Sequence, residues 1–323
     1  MSYAMSVRRS AAALLISVFS SATALAEDTS QLKLYDSLQG SDFAPEGGLF
    51  YKKNEEQSAG TVTFQSEADG HKALKLSVEA KCVTEKKSCS ERAEVWEKPA
   101  VLALYDKPLW YAFSMMLDRP VPTVRHRYVM AQWKREIIPG AEGDYSPFLG
   151  LRLLEGRLLM TVDTDEASYE PIGTPERPDG CKPGEALASE PDDYNQVRIL
   201  AVAGPIPGNP PVRGYNGCTA DLQVTLRGNE LPPADAGWID FVFMVKPGPS
   251  GDGHIEIAAN GKWIATVKGH VGHQGPGLDE HQYFKFGPYR AGQSVPWTIF
   301  YRDFKRGPQC ADVAGPELCG TIR

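Results

Sequence analysis

The residues that could do chemistry lie in three short stretches of alternating character. In an extended chain, successive side chains point to opposite faces. Arg92, Glu94 and Trp96 therefore share one face of the first stretch, whereas Ala93 and Val95 suit a hydrophobic core. This stretch is expected to show charged and aromatic groups on the side that faces away from the core.

The other two stretches, residues 128–134 and 283–290, follow the same rule. The polar face of the second stretch is expected to carry Tyr128, Met130, Gln132 and Lys134, and its core face Val129, Ala131 and Trp133. The polar face of the third is expected to carry Tyr283, Lys285, Gly287 and Tyr289, and its core face Phe284 and Phe286. Long hydrogen-bonding, charged and aromatic side chains thus recur on all three.

Two interpretations of these polar faces are open. The solvent-facing side of an antiparallel sheet is usually polar, so each stretch could be an ordinary surface strand. The mixture of Tyr, Trp, Met and Gln with Arg and Lys fits a sugar-binding cleft better. In such a cleft aromatic rings cover the apolar faces of the sugar while polar groups fix its orientation.

The elements that must position these residues are predicted to be short strands. Runs of apolar or alternating residues recur along the chain and are bounded by Gly, Pro, Asn or Asp, which is typical of an all-β sandwich. The predicted strands are 73–78, 109–117, 128–133, 148–154, 158–162, 196–201, 238–245, 254–259, 263–267, 283–287 and 297–304. Asn260-Gly261 and Glu155-Gly156 predict two hairpins between neighbouring runs. A single domain over residues 27–323 is expected.

The amino-terminal segment and the composition limit the location and the partners. Arg8 and Arg9, a short apolar run and a small-x-small site ending at Ala26 indicate a secretory signal peptide over residues 1–26. The chain is expected to be secreted or periplasmic, with no membrane span. A formal net charge of −7 disfavours nucleic-acid binding but permits an anionic substrate in a local basic cleft. We expect a monomer.

The cysteines and loops add a framework. Six cysteines in an exported chain suggest disulfides, and spacing favours Cys82–Cys89, Cys181–Cys218 and Cys310–Cys319 without excluding other pairings.

The segments 170–191 and 203–217, rich in Pro and Gly, are predicted to be long loops. Long structured loops on a sandwich often carry function.

The motifs in the three stretches resemble a known family. Arg92-x-Glu94-Val95, Gln132-Trp133-Lys134 and Tyr283-Phe-Lys-x-Gly-x-Tyr289 resemble the signature strands R-x-E-L, Q-x-H and Y-F-K-x-G-x-Y of jelly-roll polysaccharide lyases. The segments ERAE, AQW, GDGxIEIxxNG and YFKFGxYR look closer to the heparin-lyase-I-like and glucuronan-lyase-like branch than to alginate lyases. The resemblance implies a concanavalin-like β-jelly roll of two antiparallel sheets with long loops.

The resemblance also implies a reaction, the β-elimination of a polysaccharide that contains uronic acid. Charge that develops on the sugar carboxylate must be neutralised by fixed donors, a role implied for Arg92 and Gln132. Tyr289 would abstract the C5 proton, protonate the leaving oxygen, or do both. The chain departs from the family pattern at Lys134, which stands where the motif has His. A lysine there is expected to help neutralise the carboxylate in the reaction but is a poor base unless buried, so the base would be Tyr289 or another histidine.

The remaining site residues are expected to bind substrate rather than to react. Glu94 would also hold Arg92 in place. The expected set of substrate-binding residues is Lys285, Arg290, Glu94, Tyr283, Arg152 and His273. His273 lies in a Gly-rich segment with other histidines, where one histidine could serve as the base. His126 is expected to be an ordinary strand-end histidine.

No cofactor is expected to be required. The histidine spacing of residues 269–281 matches no fixed zinc pattern, and no metal ligands are assigned. Calcium is an open possibility at the acid-rich segment 162–170. Two further functions stay open: a non-catalytic carbohydrate-binding protein on the same fold, and a glycoside hydrolase, which would need a pair of catalytic carboxylates.

Overall fold

The computed structural model describes residues 29–40, 48–54, 58–66, 70–82, 89–178, 180–192 and 196–322. In these residues the chain forms two sheets, and every pair of named strands is antiparallel. The predicted all-β sandwich is therefore confirmed. The predicted signal peptide, residues 1–26, lies outside the described residues.

The first sheet has nine strands. Eight of them follow one another across the sheet, and the short strand β1 (Leu34–Asp36) pairs with β21 at its side. In spatial order the eight are β16 (Leu222–Leu226), β19 (Lys262–Val271), β18 (Gly248–Ala259), β17 (Ile239–Lys246), β8 (Leu109–Leu117), β21 (Trp297–Gly307), β4 (Lys72–Val78) and β3 (Gly60–Ser66).

The second sheet has twelve strands and carries the three polar stretches. Its spatial order is β12 (Glu170–Pro171), β15 (Gly217–Thr219), β13 (Ala186–Ala188), β14 (Val197–Ala203), β11 (Arg157–Thr164), β10 (Leu149–Leu154), β9 (Tyr128–Ile137), β20 (Leu278–Ala291), β6 (Glu94–Glu97) and β2 (Phe50–Asn54). Two short strands, β5 (Ser90–Arg92) and β7 (Ala103–Leu104), also pair with β20.

Helical structure in the described residues is confined to single turns. They include the 3₁₀ turns Thr29–Gln31, Pro99–Val101 and Cys310–Asp312 and the α-helix α1 (Pro316–Cys319). None of these helices is long and apolar enough to cross a lipid bilayer.

The core between the sheets is aromatic where it supports the polar face. Trp133 of β9 packs edge-on to Phe243 of the first sheet, with ring centroids 4.8 Å apart, and lies 4.7 Å from Phe284. Phe284 in turn lies 5.4 Å from Phe113 of β8. Aromatic pairs at such distances add to the free energy gained by burying the rings. The polar residues on the outer face of β9 and β20 therefore lie above a close-packed aromatic core.

The alternation predicted for β9 holds only in its second half. Ala131 and Trp133 are fully buried, as expected. Between Ala131 and Val129 the register with β10 shifts by one residue, a β-bulge at Met130. Met130 and Tyr128 therefore lie in the core, and Val129 faces the other side. The predicted faces of residues 128–130 are wrong because the extra residue reverses the alternation.

Both predicted hairpins and all three predicted disulfides are present. Asn260-Gly261 joins β18 to β19 and Glu155-Gly156 joins β10 to β11, each with positive φ at both positions, as a tight hairpin turn requires. The bonds are Cys82–Cys89, Cys181–Cys218 and Cys310–Cys319. The second bond ties the loop after β12 to β15, and therefore constrains the long segment that precedes β15.

Candidate active site

Strand pairing brings the three polar stretches side by side. On β20, Tyr289 pairs with Arg92 of β5 on one side and with Val129 of β9 on the other. Lys285 pairs with Gln132 of β9. Since neighbouring strands lie about 4.8 Å apart, residues from three distant parts of the sequence meet on one patch of the sheet.

This patch forms the floor of a cleft of about 810 Å³. Most of the residues that the sequence singled out line it, together with several that it did not. The predicted ones are Arg92, Gln132, Lys134, Arg152, Tyr283, Lys285 and Tyr289. Trp96, expected on the polar face of the first stretch, and His126, expected to be an ordinary strand-end histidine, also line the cleft. The others include Arg127, Asp144, Tyr145, Arg198 and Tyr215.

Glu94 is a buried carboxylate that holds the polar side chains of the floor. Its side chain is fully inaccessible to solvent. Gln132 donates its side-chain amide to Oε1, while Lys285 Nζ lies 3.4 Å and Arg92 Nη1 3.7 Å from Oε2. A buried carboxylate with partners on both oxygens fixes the orientation of those partners. Glu94 lies beneath the cleft rather than in contact with it, so its position is that of a support for Arg92 and Gln132.

The ring of Tyr289 is contacted by two guanidinium groups. The central carbon of Arg92 lies 3.7 Å, and that of Arg127 4.4 Å, from its centroid. Such stacking is a favourable cation–π contact. The phenolic hydroxyl of Tyr289 forms no hydrogen bond with any described side chain or backbone group, and the residue lines the cleft. The hydroxyl can therefore meet a ligand.

Lys285 is a buried cation at the same floor. Its side chain is 4% exposed, and its Nζ lies 4.5 Å from the centroid of the Trp96 ring. Burial lowers the pKa of Lys285 to about 8, with Lys134 and Arg92 lowering it further and Glu94 opposing them. Trp96 itself stacks on Tyr283 at 5.0 Å, which gives the cleft an aromatic wall.

Lys134 enters the cleft from β9 and has a carboxylate partner there. Its Nζ lies 3.2 Å from Asp144 Oδ1, and the Asp144 side chain is 92% exposed. Asp144 belongs to the connection between β9 and β10, which also supplies Tyr145 and Ser146 to the cleft. The cation is therefore within reach of an anionic ligand that can displace an exposed carboxylate.

Besides Glu94, whose predicted contact with substrate is also wrong because its side chain is fully buried, two residues expected to bind substrate do not reach the cleft. Arg290 is fully buried and pairs with Glu91 at 2.6 Å. Alternation explains this, because Arg290 has the same parity as Phe284 and Phe286 and so points into the sandwich. The prediction that Arg290 contacts substrate is wrong. Its ion pair instead links β20 to β5, the strand that carries Arg92.

His273 is the second. It is 1% exposed and lies behind the cleft, with Nε2 3.1 Å from the carbonyl oxygen of Ser146. Its backbone N–H donates to the hydroxyl of Tyr105 at 3.1 Å. Burial lowers the pKa of His273. Its predicted contact with substrate is therefore wrong: it supports the connection that carries Asp144.

Two arginines beyond the predicted set, Arg127 and Arg198, also line the cleft. Arg198 of β14 donates two hydrogen bonds to Asp163, at 3.0 and 2.8 Å, and lines the cleft beside Arg152. The alternation of β14 could have predicted that Arg198 faces the cleft, because its neighbours Val197 and Ile199 are apolar and lie buried on the opposite face. For Arg127 and Tyr215, which lie in connections, no sequence signal was present.

The described residues offer little for a metal ion. The one grouping of three metal-ligating side chains that they contain, Cys181, Glu185 and Cys218, has both sulfurs in a disulfide. In the acid-rich segment, Asp163 pairs with Arg198, and Asp165 accepts a hydrogen bond from the backbone N–H of Gln274. These carboxylates already have protein partners.

The family model described as polysaccharide lyase matches residues 28–305. Among curated proteins, none matches the sequence significantly.

Solved structures resemble this one at low sequence identity. An endo-β-1,4-glucuronan lyase from the fungus Trichoderma reesei is 16% identical, with a TM-score of 0.53 over 87% of this chain and 97% of that chain. Alginate lyase A1-II′, a member of polysaccharide lyase family 7, is 14% identical, with a TM-score of 0.39 over 75% of this chain and 82% of that chain. The fold is the jelly-roll sandwich that the three motifs implied.

Proposed function

The chain belongs to the polysaccharide lyase family, and on that basis we propose that it cleaves a polysaccharide containing uronic acid by β-elimination. The observation that carries the proposal is the meeting of Arg92, Gln132, Lys134, Lys285 and Tyr289 in one cleft. The glucuronan and alginate named for the similar structures make a uronate polymer the natural substrate class.

In the proposed reaction the carboxylate of one uronate lies against Arg92 and Gln132. The C5–H bond is weakly acidic, and its breaking moves negative charge onto that carboxylate. Arg92 offers a positively charged guanidinium group with paired N–H donors. Gln132 retains one amide N–H beyond the one that it donates to Glu94. Donors held by a buried carboxylate need no reorganisation when this charge develops. Lys134 would add a further positive charge in place of the motif's histidine.

Tyr289 carries the proton in this proposal. Its deprotonated oxygen takes the C5 proton, the C5–H electrons form the C4–C5 double bond, and the C4–O bond breaks with its electrons on the leaving oxygen. The same tyrosine, now protonated, can return the proton to that oxygen if both groups lie on one face of the sugar. The hydroxyl of Tyr289, which has no hydrogen-bonding partner among the described residues, suits this double role.

The direct test is a substrate panel. Purified protein is incubated with glucuronan, alginate, heparin and related uronate polymers, and the ultraviolet absorbance of the unsaturated uronate product is followed. The expected result is a rise in absorbance with at least one polymer. Tyr289→Phe should reduce that rate at least ~100-fold, the contribution of a positioned acid–base group.

A matched control separates loss of the acid–base group from loss of a tyrosine hydroxyl elsewhere. Tyr35→Phe removes a hydroxyl from β1, in the other sheet and outside the cleft, and should leave the rate unchanged. No absorbance with any uronate polymer, together with binding that survives Tyr289→Phe, would instead indicate a non-catalytic carbohydrate-binding protein. New reducing ends without absorbance would indicate a hydrolase.

The cellular setting and assembly form part of the proposal. We expect export to an extracellular or periplasmic compartment after cleavage behind Ala26, and the three disulfides support this because such bonds persist in oxidising compartments. Mass spectrometry of the mature protein would test the cleavage site. We further expect a monomer that works without an added cofactor, which light scattering and chelation would test.

A further inference from the structure

A disulfide bond lies at the end of the strand pair that carries Arg92 and Tyr289. Cys89 stands three residues before Arg92, and Gly292 stands three residues after Tyr289. The pairing of β5 with β20 continues past both strands, because the backbone N–H of Gly292 donates to the carbonyl oxygen of Cys89 at 3.3 Å. Cys89 is bonded to Cys82. The disulfide therefore lies beside the last hydrogen bond of this strand pair.

Cys82 packs directly against the chain that follows β20. A Cβ placed at Gly292 would lie 2.2 Å from the Cβ of Cys82 and 2.6 Å from its carbonyl oxygen. Any larger residue at this position would push Cys82 away from β20. The absence of a side chain at Gly292 therefore permits the close approach. The disulfide thus contacts the chain at the ends of both strands.

Glu91 connects the same segments through hydrogen bonds. Its side chain is fully buried, and Oε1 accepts the backbone N–H groups of Lys81 and Cys82 at 2.7 and 2.8 Å. Oε2 accepts the Nε–H of Arg290 at 2.6 Å. A buried carboxylate depends on such donors, because burial without them costs free energy. The disulfide holds Cys82 next to Cys89, and so keeps both backbone donors within reach of Glu91.

The strand β5 itself offers few hydrogen bonds. It is three residues long, and among the strands in the described part of the chain it pairs with β20 alone. Just beyond it, the backbone N–H of Ala93 donates to the carbonyl oxygen of Pro288 at 3.0 Å. Segments with few such bonds are the ones that open locally in a folded protein. A covalent bond three residues from Arg92 limits how far this backbone can move.

We infer that Cys82 and Cys89 are positioning residues for the proposed reaction: their bond holds β5 against β20, so that the guanidinium group of Arg92 stays on the ring of Tyr289. The inference rests on the proposed function and deepens it. Neither cysteine is among the residues that line the cleft. The bond therefore acts through the placement of Arg92 and not through contact with substrate.

The first test compares the loss of two disulfides that close short loops. Cys82→Ser/Cys89→Ser removes a bond with a sequence separation of 7, and Cys310→Ser/Cys319→Ser removes one with a separation of 9. The second bond packs against side chains of the first sheet. We expect the first variant to lower kcat on the best polymer of the panel roughly 10- to 100-fold, with a much smaller change in KM. A displacement of about 1 Å at a catalytic group has a cost of this size.

The second variant is the matched control, and its kcat should equal that of the wild type. Each variant loses one crosslink that closes a short loop, so both should lose stability by a similar amount. Thermal unfolding of the two proteins measures that loss. Equal losses of kcat in the two variants would overturn the inference, because general destabilisation would then explain both.

A double-mutant cycle tests whether the bond acts through Arg92. Effects of groups that act as one unit are not additive. Arg92→Lys should therefore lower kcat by about tenfold or less in the Cys82→Ser/Cys89→Ser protein, against roughly 100-fold in the wild type. Lys134→Met, on β9, should change the rate by the same factor in both proteins. Equal factors for Arg92→Lys in the two proteins would overturn the inference.

A second variant keeps the disulfide and applies even where its removal prevents folding. Gly292→Ala places a Cβ against Cys82 and should lower kcat in the same direction as loss of the bond. Gly315→Ala is the matched control, because it lies beside the third disulfide and a Cβ there would have no atom within 4 Å. Its kcat should match that of the wild type.

Hydrogen exchange measures the hold on β5 without turnover. The amide of Ala93 should exchange at least about tenfold faster in Cys82→Ser/Cys89→Ser than in the wild type, and at the wild-type rate in Cys310→Ser/Cys319→Ser. Unchanged kcat in both the folded Cys82→Ser/Cys89→Ser protein and Gly292→Ala would overturn the inference while the lyase activity stands.

Failure of the proposed function gives a different result. No turnover of any uronate polymer by the wild type would overturn the lyase proposal. Faster exchange at Ala93 in Cys82→Ser/Cys89→Ser alone would then still support the hold of the bond on the strand of Arg92. Unchanged exchange at Ala93 would overturn that hold as well.

Discussion

The guanidinium carbon of Arg92 lies 3.7 Å from the centroid of the Tyr289 ring. The residue that is proposed to hold the substrate carboxylate and the residue proposed to move the proton are thus in direct contact. They pair across β5 and β20, and Glu94 and the buried Arg290–Glu91 ion pair fix the strands that carry them. The group proposed to neutralise charge and the group proposed to transfer the proton therefore pack against each other.

Arg92→Lys should lower kcat by roughly 100-fold with a much smaller change in KM. A lysine keeps the positive charge but lacks the paired N–H donors and the flat stacking surface of the guanidinium group. It should therefore stabilise the charge that develops on the substrate carboxylate in the transition state less well than arginine does. Steady-state kinetics on the best polymer of the panel checks this. Arg119→Lys, on the connection after β8 and outside the cleft, is the control that should retain full activity. A rise in KM alone would mean that Arg92 only binds substrate.

The pH dependence of kcat/KM should show an alkaline limb near the pKa of Lys285, about 8. Above this pH Lys285 loses its proton, and the cleft loses a positive charge that attracts an anionic polymer. Lys285→Arg keeps the charge at all these pH values and should remove the limb, which pH–rate profiles of both proteins would reveal. An identical limb in Lys285→Arg would show that another group titrates.

The lowered pKa of Lys285 also predicts how the stability of the fold changes with pH. The pKa of Lys285 is about 8 in the folded protein against an ordinary value of 10.5. Between these values the unfolded chain binds a proton that the folded chain does not, so the contribution of Lys285 to the free energy of unfolding rises with pH across that window. Denaturant unfolding of wild type and Lys285→Met at pH values on both sides of the window measures it. A constant difference between the two proteins would contradict the expectation.

Asp144→Asn should lower KM for an anionic polymer by a few-fold, a size appropriate to an exposed ion pair. We expect the carboxylate of Asp144, which lies 3.2 Å from Lys134 Nζ, to compete with an anionic substrate for that cation. Removing its charge leaves the cation to the substrate, and the effect should fade at high salt. Asp106→Asn removes the same charge from the turn before β8, outside the cleft, and serves as the control. Equal KM values for the two variants would show that Asp144 does not compete.

Removal of divalent metal should leave activity intact. In the described part of the chain Arg and Lys side chains supply positive charge to the cleft, and Asp163 in the acid-rich segment is already paired with Arg198. Dialysis against EDTA followed by the absorbance assay is the measurement. Loss of activity that calcium restores, and magnesium does not, would place a calcium ion in the reaction.

Period-two alternation was enough to predict much of the site. It placed Arg92, Gln132, Lys285 and Tyr289 on outward faces, and register alone then brought them together. The same rule, applied to Arg290, would have placed it in the core, where it lies. That error came from following the motif rather than the alternation.

Other features depended on contacts that no local pattern carries. The bulge at Met130 arises from pairing between β9 and its neighbours, so the exchange of Val129 for Met130 on the cleft side was not visible in the sequence. His273 looked accessible because its segment is rich in glycine, yet it packs under Ser146. Tyr215 reaches the cleft from a proline-rich connection, and only the folded path of that connection places it there.

The bulge at Met130 also determines how β9 would respond to a change in its length. Because Met130 is the extra residue, its deletion would restore regular alternation: Val129 would stay beside Tyr289, and the Tyr128 ring would keep its edge-on contact with Trp297. The core would lose one buried side chain and the cleft none. An additional inserted residue would instead move the side chains on one side of the bulge to the opposite face. Single-residue insertions in this part of β9 should therefore be tolerated less well than deletion of Met130.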